Sequence, residues 1–89
     1  MRILHHSRLF EKDMERVKKQ GKDYTKLKAI IDSLISNQAL PLSLKDHPLK
    51  GNWKGYRDLH IAPDWVLIYK VDAQNLWLTR MGSHADLFK

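Results

Sequence analysis

The sequence predicts an α+β domain, an N-terminal helical hairpin packed on an antiparallel sheet in the order β-α-α-β-β-β. Apolar residues recur at helical spacing through the first half of the chain. After Leu44 the period changes to short β-branched and aromatic runs separated by turn chemistry. Helices first and then a strand meander place the helices on one face of one sheet. With 89 residues the chain is expected to form a single domain over 1–89 with one modest core, since a chain of this size buries roughly 60 to 65% of its unfolded surface.

Arg2 to His5 is short and β-compatible and supplies a first strand. From Ser7 to about Gln20, Phe10, Met14 and Val17 form a narrow apolar stripe, Ser7 is a suitable N-cap and Gly21 a suitable stop. A second helix begins near Asp23 or Tyr24, because Leu27, Ile30, Ile31, Leu34 and Ile35 repeat as a buried helical face. It ends near Asn37, before the Leu40-Pro41 pair that disfavours helix.

Three strands follow, Lys54 to Ile61, Trp65 to Val71 and Leu76 to Met81, with turns at 62–64 and 72–75. Alternation sets Tyr56, Asp58 and His60 on one face of the first of these and Arg57, Leu59 and Ile61 on the other. The apolar pair faces the helices, so His60 projects from the open side. The same rule groups Arg80 with Leu76 and Leu78, an awkward position for a site residue. Either Arg80 lies beyond the covered part of the sheet or a bulge re-aims it.

There is no cysteine, which excludes a disulfide framework and a thiolate zinc site and suits a reducing cytoplasm. The N-terminal apolar run is broken at once by His5, His6 and Arg8, and no stretch approaches the roughly 18 apolar residues of a membrane span. A cytoplasmic protein with no membrane partner is expected. The net charge of +6 and pI near 9.7 make a positive surface that attracts polyanions, with nucleic acid the first candidate and an acidic protein the second. Eight Lys or Arg stand against four acids between Arg8 and Lys28, either as a solvated helical face or as a contact surface for RNA backbone.

The chemically rich stretch runs from Lys45 to Lys70 and carries His47, His60, Asp64 and Trp65, with Lys54 and Arg57 beside Tyr56. His84 and Arg80 follow nearby in the chain. Cutting RNA without a metal requires activation of a 2′-hydroxyl, stabilisation of charge on phosphorus, and protonation of the departing 5′-oxygen. Histidine suits the proton transfers because its unperturbed pKa is near 6.5. Arginine suits the phosphate, with two aligned donors. Without an HExxH-type pattern, neither a metal nor another cofactor is expected at His47, His60 and His84. A non-catalytic basic module that binds RNA or ribosomes is the alternative, with structural histidines; a protein-interaction module is a third reading.

The block Gly51, Trp53, Gly55, Tyr56, Arg57, Asp58, His60, Pro63, Asp64 and Trp65, followed by Leu67 to Lys70, resembles the signature of the YafQ branch of the RelE-type bacterial toxins. The likeness extends to Asp46, His47, Pro48 and Leu49 upstream and to Arg80, Gly82, His84, Leu87 and Phe88 downstream. It implies a RelE-like fold and a ribosome-dependent endoribonuclease that cuts messenger RNA in the A site of the 30S subunit. It further implies that His47, His60, Asp64 and His84 form the acid-base set, that Arg80 holds the scissile phosphate, and that Trp65 and Phe88 position the nucleotide. Lys54 and Arg57 are candidate RNA contacts. A cognate antitoxin that neutralises the toxin is implied as partner, with operator DNA bound only through the toxin-antitoxin complex.

Overall fold

A computed structural model describes residues 1–88. Strand β1 (Ile3–His6) leads into helices α1 (Arg8–Lys19) and α2 (Tyr24–Ile35), and the second half holds β2 (His47–Pro48), β3 (Arg57–Ala62), β4 (Trp65–Val71), β5 (Asn75–Gly82) and α3 (His84–Leu87). The helix starts follow the expected caps. Ser7 accepts from the Phe10 amide and Asp23 from the Thr25 amide, each satisfying a donor that the first turn leaves unpaired. Between the helices Gly21 sits at φ +71°, a conformation that a Cβ disfavours. Among the described residues no helix is long and apolar enough to cross a membrane.

The sheet order is β1-β5-β4-β3-β2. β3 to β5 form the expected antiparallel meander, the two-residue β2 adds an antiparallel edge strand that the sequence pattern does not predict, and β1 joins the other edge parallel to β5. That edge is reached because α1 and α2 carry the chain back across one face before the meander begins. The expected first meander strand is shorter at its start: a 3₁₀ turn occupies Gly51–Trp53 and pairing begins only at Arg57.

The main core lies between sheet and helices. Phe10 and Val17 of α1 and Leu27, Ile30 and Leu34 of α2 pack on Leu59, Ile61, Trp65, Leu67, Tyr69, Leu76, Leu78 and Met81. The opposite face is not bare, as the strand pattern suggests. Val66 and Ile68 form a second, smaller cluster with Leu87 of α3, flanked by Leu49, Trp53, Tyr56 and Phe88. Strand β4 is therefore covered on both sides, which explains its unbroken buried run from Trp65 to Tyr69.

A bulge settles where Arg80 points. Ile68 pairs with Arg80 and Tyr69 with Leu78, so Thr79 is an extra residue on β5. The insertion lets Leu78 and Met81 both face the helices and turns Arg80 to the opposite face beside Ile68. Helix α1 is pinned at the same place, the Ser7 amide donating to Leu78 and the Ser7 hydroxyl to the Thr79 carbonyl.

Candidate active site

The pairing registers arrange the open face of the sheet in three rows. His60, Val66 and Gly82 make one; His47, Asp58, Ile68 and Arg80 make the next; Lys70, Trp77 and His5 lie in the third, beside Tyr56 at the entry to β3. Rows separated by two residues stand about 6 to 7 Å apart along the strands.

Beyond the first row, α3 starts immediately after β5. Ser83 caps it, accepting from the Asp86 amide, while the Asp86 carboxylate accepts from the Ser83 amide. Gly82 permits the tight return: a Cβ there would lie 2.7 Å from Arg16 Nη2 and 3.1 Å from Asp86 Oδ2. The first turn of α3 delivers His84 over β3, its ring in edge contact with His60 at 5.2 Å between centroids. Phe88, four residues on and so on the same helical face, lies 5.6 Å from His84.

His47 approaches from short strand β2. Its Nδ1 lies 2.8 Å from the Lys45 carbonyl, which can only accept, so Nδ1 carries a proton, and in the neutral ring the lone pair is on Nε2. Asp58 Oδ1 is 3.0 Å from the same Nδ1, yet is buried without a hydrogen bond. The two observations agree if the proton is aimed at the carbonyl and the carboxylate acts as a charge neighbour. Burial raises the Asp58 carboxyl above its ordinary range, opposed by the charges of His47, His60 and His84.

A folded pKa above the unfolded one means that stability from this group is fully present below the unfolded carboxylate pKa. It is lost as pH rises through the folded value. Asp58→Asn, neutral throughout, is therefore expected to melt above the parent at pH 7, by about 4–8 °C for each kcal/mol recovered. The gap is expected to close as pH falls through the carboxylate range. Melting curves at pH 7 and pH 4 check this, and an unchanged gap between them refutes it.

Arg80, at the far end of the second row, is held by a buried carboxylate of α1. Its Nε and Nη2 donate to the two oxygens of Asp13 at 2.9 and 3.1 Å. Asp13 also accepts from the Met81 amide at 3.0 Å and pairs with Arg16 at 3.2 Å. The hydrogen bonds that Arg80 donates to Asp13 hold its guanidinium above its ordinary pKa despite partial burial. Arg16 also pairs with Asp86 at 3.8 Å, so two carboxylates balance the two guanidiniums, and the Asp13 fork occupies only one edge of Arg80.

The structure thus gathers His47, His60, His84, Phe88 and Arg80 on one face. Asp64 and Lys54 are exposed, Asp64 in the β3–β4 turn just past the first row and Lys54 ahead of β3. Two expected site residues are elsewhere. Trp65 is 2% exposed within the helix-side core. Alternation along β4 sends it inward with Leu67 and Tyr69, so it cannot meet a base at the histidine cluster. Arg57 also faces the helices. Its guanidinium pairs with Asp46 at 3.1 Å, and Asp46 accepts from the Tyr69 hydroxyl as well. That pair borders a groove of about 600 Å³ with Arg2, Leu34 and Leu42, on the face without the histidines. Asp58 and Asp13, which hold the site from beneath and from the side, are not among the site residues expected from the sequence, although Asp58 is placed on the His60 face there.

The chain matches the family model described as bacterial toxin of type II toxin-antitoxin system, YafQ, over residues 2–89. It is 48% identical to the mRNA interferase toxin YafQ of Escherichia coli K12, covering 98% of this chain and 96% of the relative. Its structure resembles the toxin in the crystal structure of the E. coli DinJ-YafQ complex, at 47% identity, TM-score 0.93 and full coverage of both chains. A metal-bound toxin from Helicobacter pylori is similar as well, at 39% identity and TM-score 0.92, covering 99% of this chain and 100% of that one.

Proposed function

Because this chain belongs to the YafQ family of toxins from bacterial type II toxin-antitoxin systems, we propose that it is an endoribonuclease, an mRNA interferase, that cuts messenger RNA in the ribosomal A site by metal-independent acid-base catalysis. The observation that carries this reading is the convergence of three histidines and Arg80 on one sheet face, around the buried carboxylate of Asp58.

The 2′-oxygen attacks the adjacent phosphorus as its proton leaves, the P–O5′ bond breaks, and the 5′-oxygen takes up a proton. The products are a 2′,3′-cyclic phosphate, opened by water to a 3′-phosphate, and a 5′-hydroxyl. His84 is the general acid. In-line displacement needs the proton acceptor across the phosphate from the donor, and His60 in edge contact with His84 leaves no room for a phosphate between them. His60 therefore orients His84, and His47, with its Nε2 lone pair, takes the 2′-hydroxyl proton. Asp64 orients the ribose from the turn, Phe88 offers a ring face to the base, and the unoccupied edge of Arg80 bears on the phosphate as its charge develops.

A cognate antitoxin is the protein partner, by extension from the E. coli relative in complex with DinJ. The net charge of +6 favours an acidic one. Operator DNA is contacted through that complex.

The test is primer extension on a defined messenger RNA, with and without translating ribosomes, beside a folded His84→Ala control. Discrete cuts that need ribosomes and vanish in the control are expected, and cutting is expected to persist undiminished in excess EDTA. Among the described residues no group of three or more His, Cys, Asp or Glu is arranged to hold a metal ion. Loss of cleavage on chelation, restored by added metal, overturns the metal-independent mechanism. No cuts with the fold intact favour the binding-module alternative.

A further inference from the structure

The third row of the open face is not used by the mechanism, and its composition is unusual for a solvent-facing strand surface. Trp77 lies half-buried between Leu76 and Leu78, which both point to the helix-side core. Its own ring belongs to neither apolar cluster. It stacks on His5 at 5.3 Å with 16° between the planes. The Lys70 ammonium lies 5.7 Å from the Trp77 centroid and 5.8 Å from that of Tyr56, so one cation bridges two aromatic rings on neighbouring strands.

Beside these side chains is a groove of about 280 Å³, reaching to His6 and Thr79. The Thr79 bulge separates it from Arg80 along β5.

We propose that the Tyr56–Lys70–Trp77–His5 row is a second nucleotide subsite, which stacks the base of a single-stranded RNA nucleotide flanking the scissile one on Trp77 and holds its phosphate on Lys70. This rests on the nuclease reading, for the strand it takes is the substrate itself. Four observations favour RNA as the occupant. Part-exposed aromatic rings on a sheet face with an adjacent cation are an arrangement that binds single strands, since every base has a π-face and every linkage a charge. The subsite continues the face that carries Arg80 and the histidines. Four residues of β4, from Val66 to Lys70, separate the outer rows, a span of about 13 Å that a few nucleotides cross. The chain's net charge of +6 suits a polyanion. A purely structural cross-strand stack accounts for the ring contacts but not for a groove opening beside them on the substrate face.

The experiment is a fluorescence titration of the folded protein with two RNAs whose 2′-oxygens are methylated, a hexanucleotide and a dinucleotide, so that binding is read without chemistry. Trp77→Ala is expected to weaken hexanucleotide binding about 5- to 150-fold, the range for one base-aromatic stack, and to leave the dinucleotide unaffected. Trp77→Phe is expected to recover most of the loss. Lys70→Ala is expected to reduce the slope of log affinity against log salt by about 0.7, one single-strand phosphate contact.

Equal hexanucleotide affinity in parent and Trp77→Ala, or no binding by the parent at low salt, overturns the subsite. So does a Trp77→Ala variant that loses only antitoxin affinity. Binding that depends on Trp77 in a protein that cuts no RNA sustains the subsite and fails the nuclease reading; ribosomal cleavage with a KM indifferent to Trp77 does the reverse. Circular dichroism confirms folding of each variant, which the outward placement of Trp77 and Lys70 makes the expected outcome.

Discussion

Replacement of His84 by glutamine is expected to lower the single-turnover rate of ribosome-dependent cleavage by about 10² to 10⁴-fold, the worth of one well-placed general acid. Glutamine keeps a polar side chain of similar length and a hydrogen-bond donor, but it does not transfer a proton near neutral pH. His84 is exposed in the first turn of α3, and that helix is held by the Ser83–Asp86 capping box and the buried Leu87. The variant should therefore fold, and the loss should fall on kcat with little change in KM. A substrate with a better leaving group separates the acid from a merely positional role. If His84 protonates the 5′-oxygen, a bridging 5′-sulfur, which leaves without that proton, should be cut by His84→Gln at nearly the parental rate. Parental cleavage of the ordinary substrate by His84→Gln rejects the assignment, and an equal deficit on both substrates turns His84 into a positioning residue. His60→Ala should instead lower the rate on both, because it removes the ring against which His84 rests at 5.2 Å.

Much of this arrangement is legible in the sequence because it follows from period and caps. The stripe through Leu27, Ile30 and Leu34, the caps Ser7 and Asp23, and the alternation that turns His60 away from Leu59 and Ile61 are local features with direct structural consequences. The same alternation applied to β4 sends Trp65 inward with Leu67 and Tyr69; its place beside the exposed turn at Asp64 suggests a ligand role that this parity excludes. Arg57 is a comparable case, a cation that alternation groups with Leu59 and that Asp46 holds on the helix side. The bulge at Thr79 leaves no mark in composition, since one extra residue is visible only in the register. Strand β2, with two residues, and helix α3, with four, are too short to show a period, yet they carry His47 and His84. The burial of Asp58 depends on both and so has no local signal. Asp13 does have one: it lies three residues after Phe10 and four before Val17, on the buried stripe itself, although a charge on a basic helix suggests solvent.

That buried aspartate has the largest expected effect on stability. Asp13 is 2% exposed and satisfies the Arg80 fork, the Met81 amide and Arg16 together. Asp13→Ala strands the Arg80 guanidinium and a buried amide at the seam between α1 and β5, while Arg16 keeps the Met81 carbonyl and Asp86. Breaking a buried pair by removing one partner costs about 3–5 kcal/mol, a large part of the 5–15 kcal/mol that stabilises an ordinary domain, so the variant should melt far below the parent. Asp13→Asn keeps one acceptor oxygen and turns an amide group toward a guanidinium, so its loss should be smaller, and the protein should remain folded at low temperature. The catalytic consequence is then measurable. Without a carboxylate to hold its fork, Arg80 no longer presents a fixed edge to the phosphate, and kcat should fall well below the parental value at temperatures where Asp13→Asn is fully folded. A double-mutant cycle identifies the route. If Asp13 acts through Arg80, Asp13→Asn should change the rate of an Arg80→Ala background hardly at all, while additive losses in the double variant would show that Asp13 acts on cleavage through the packing of α1 alone. Melting midpoints and single-turnover rates of the four proteins decide between these, because a deficit that follows global stability disappears on cooling and one that follows the guanidinium does not.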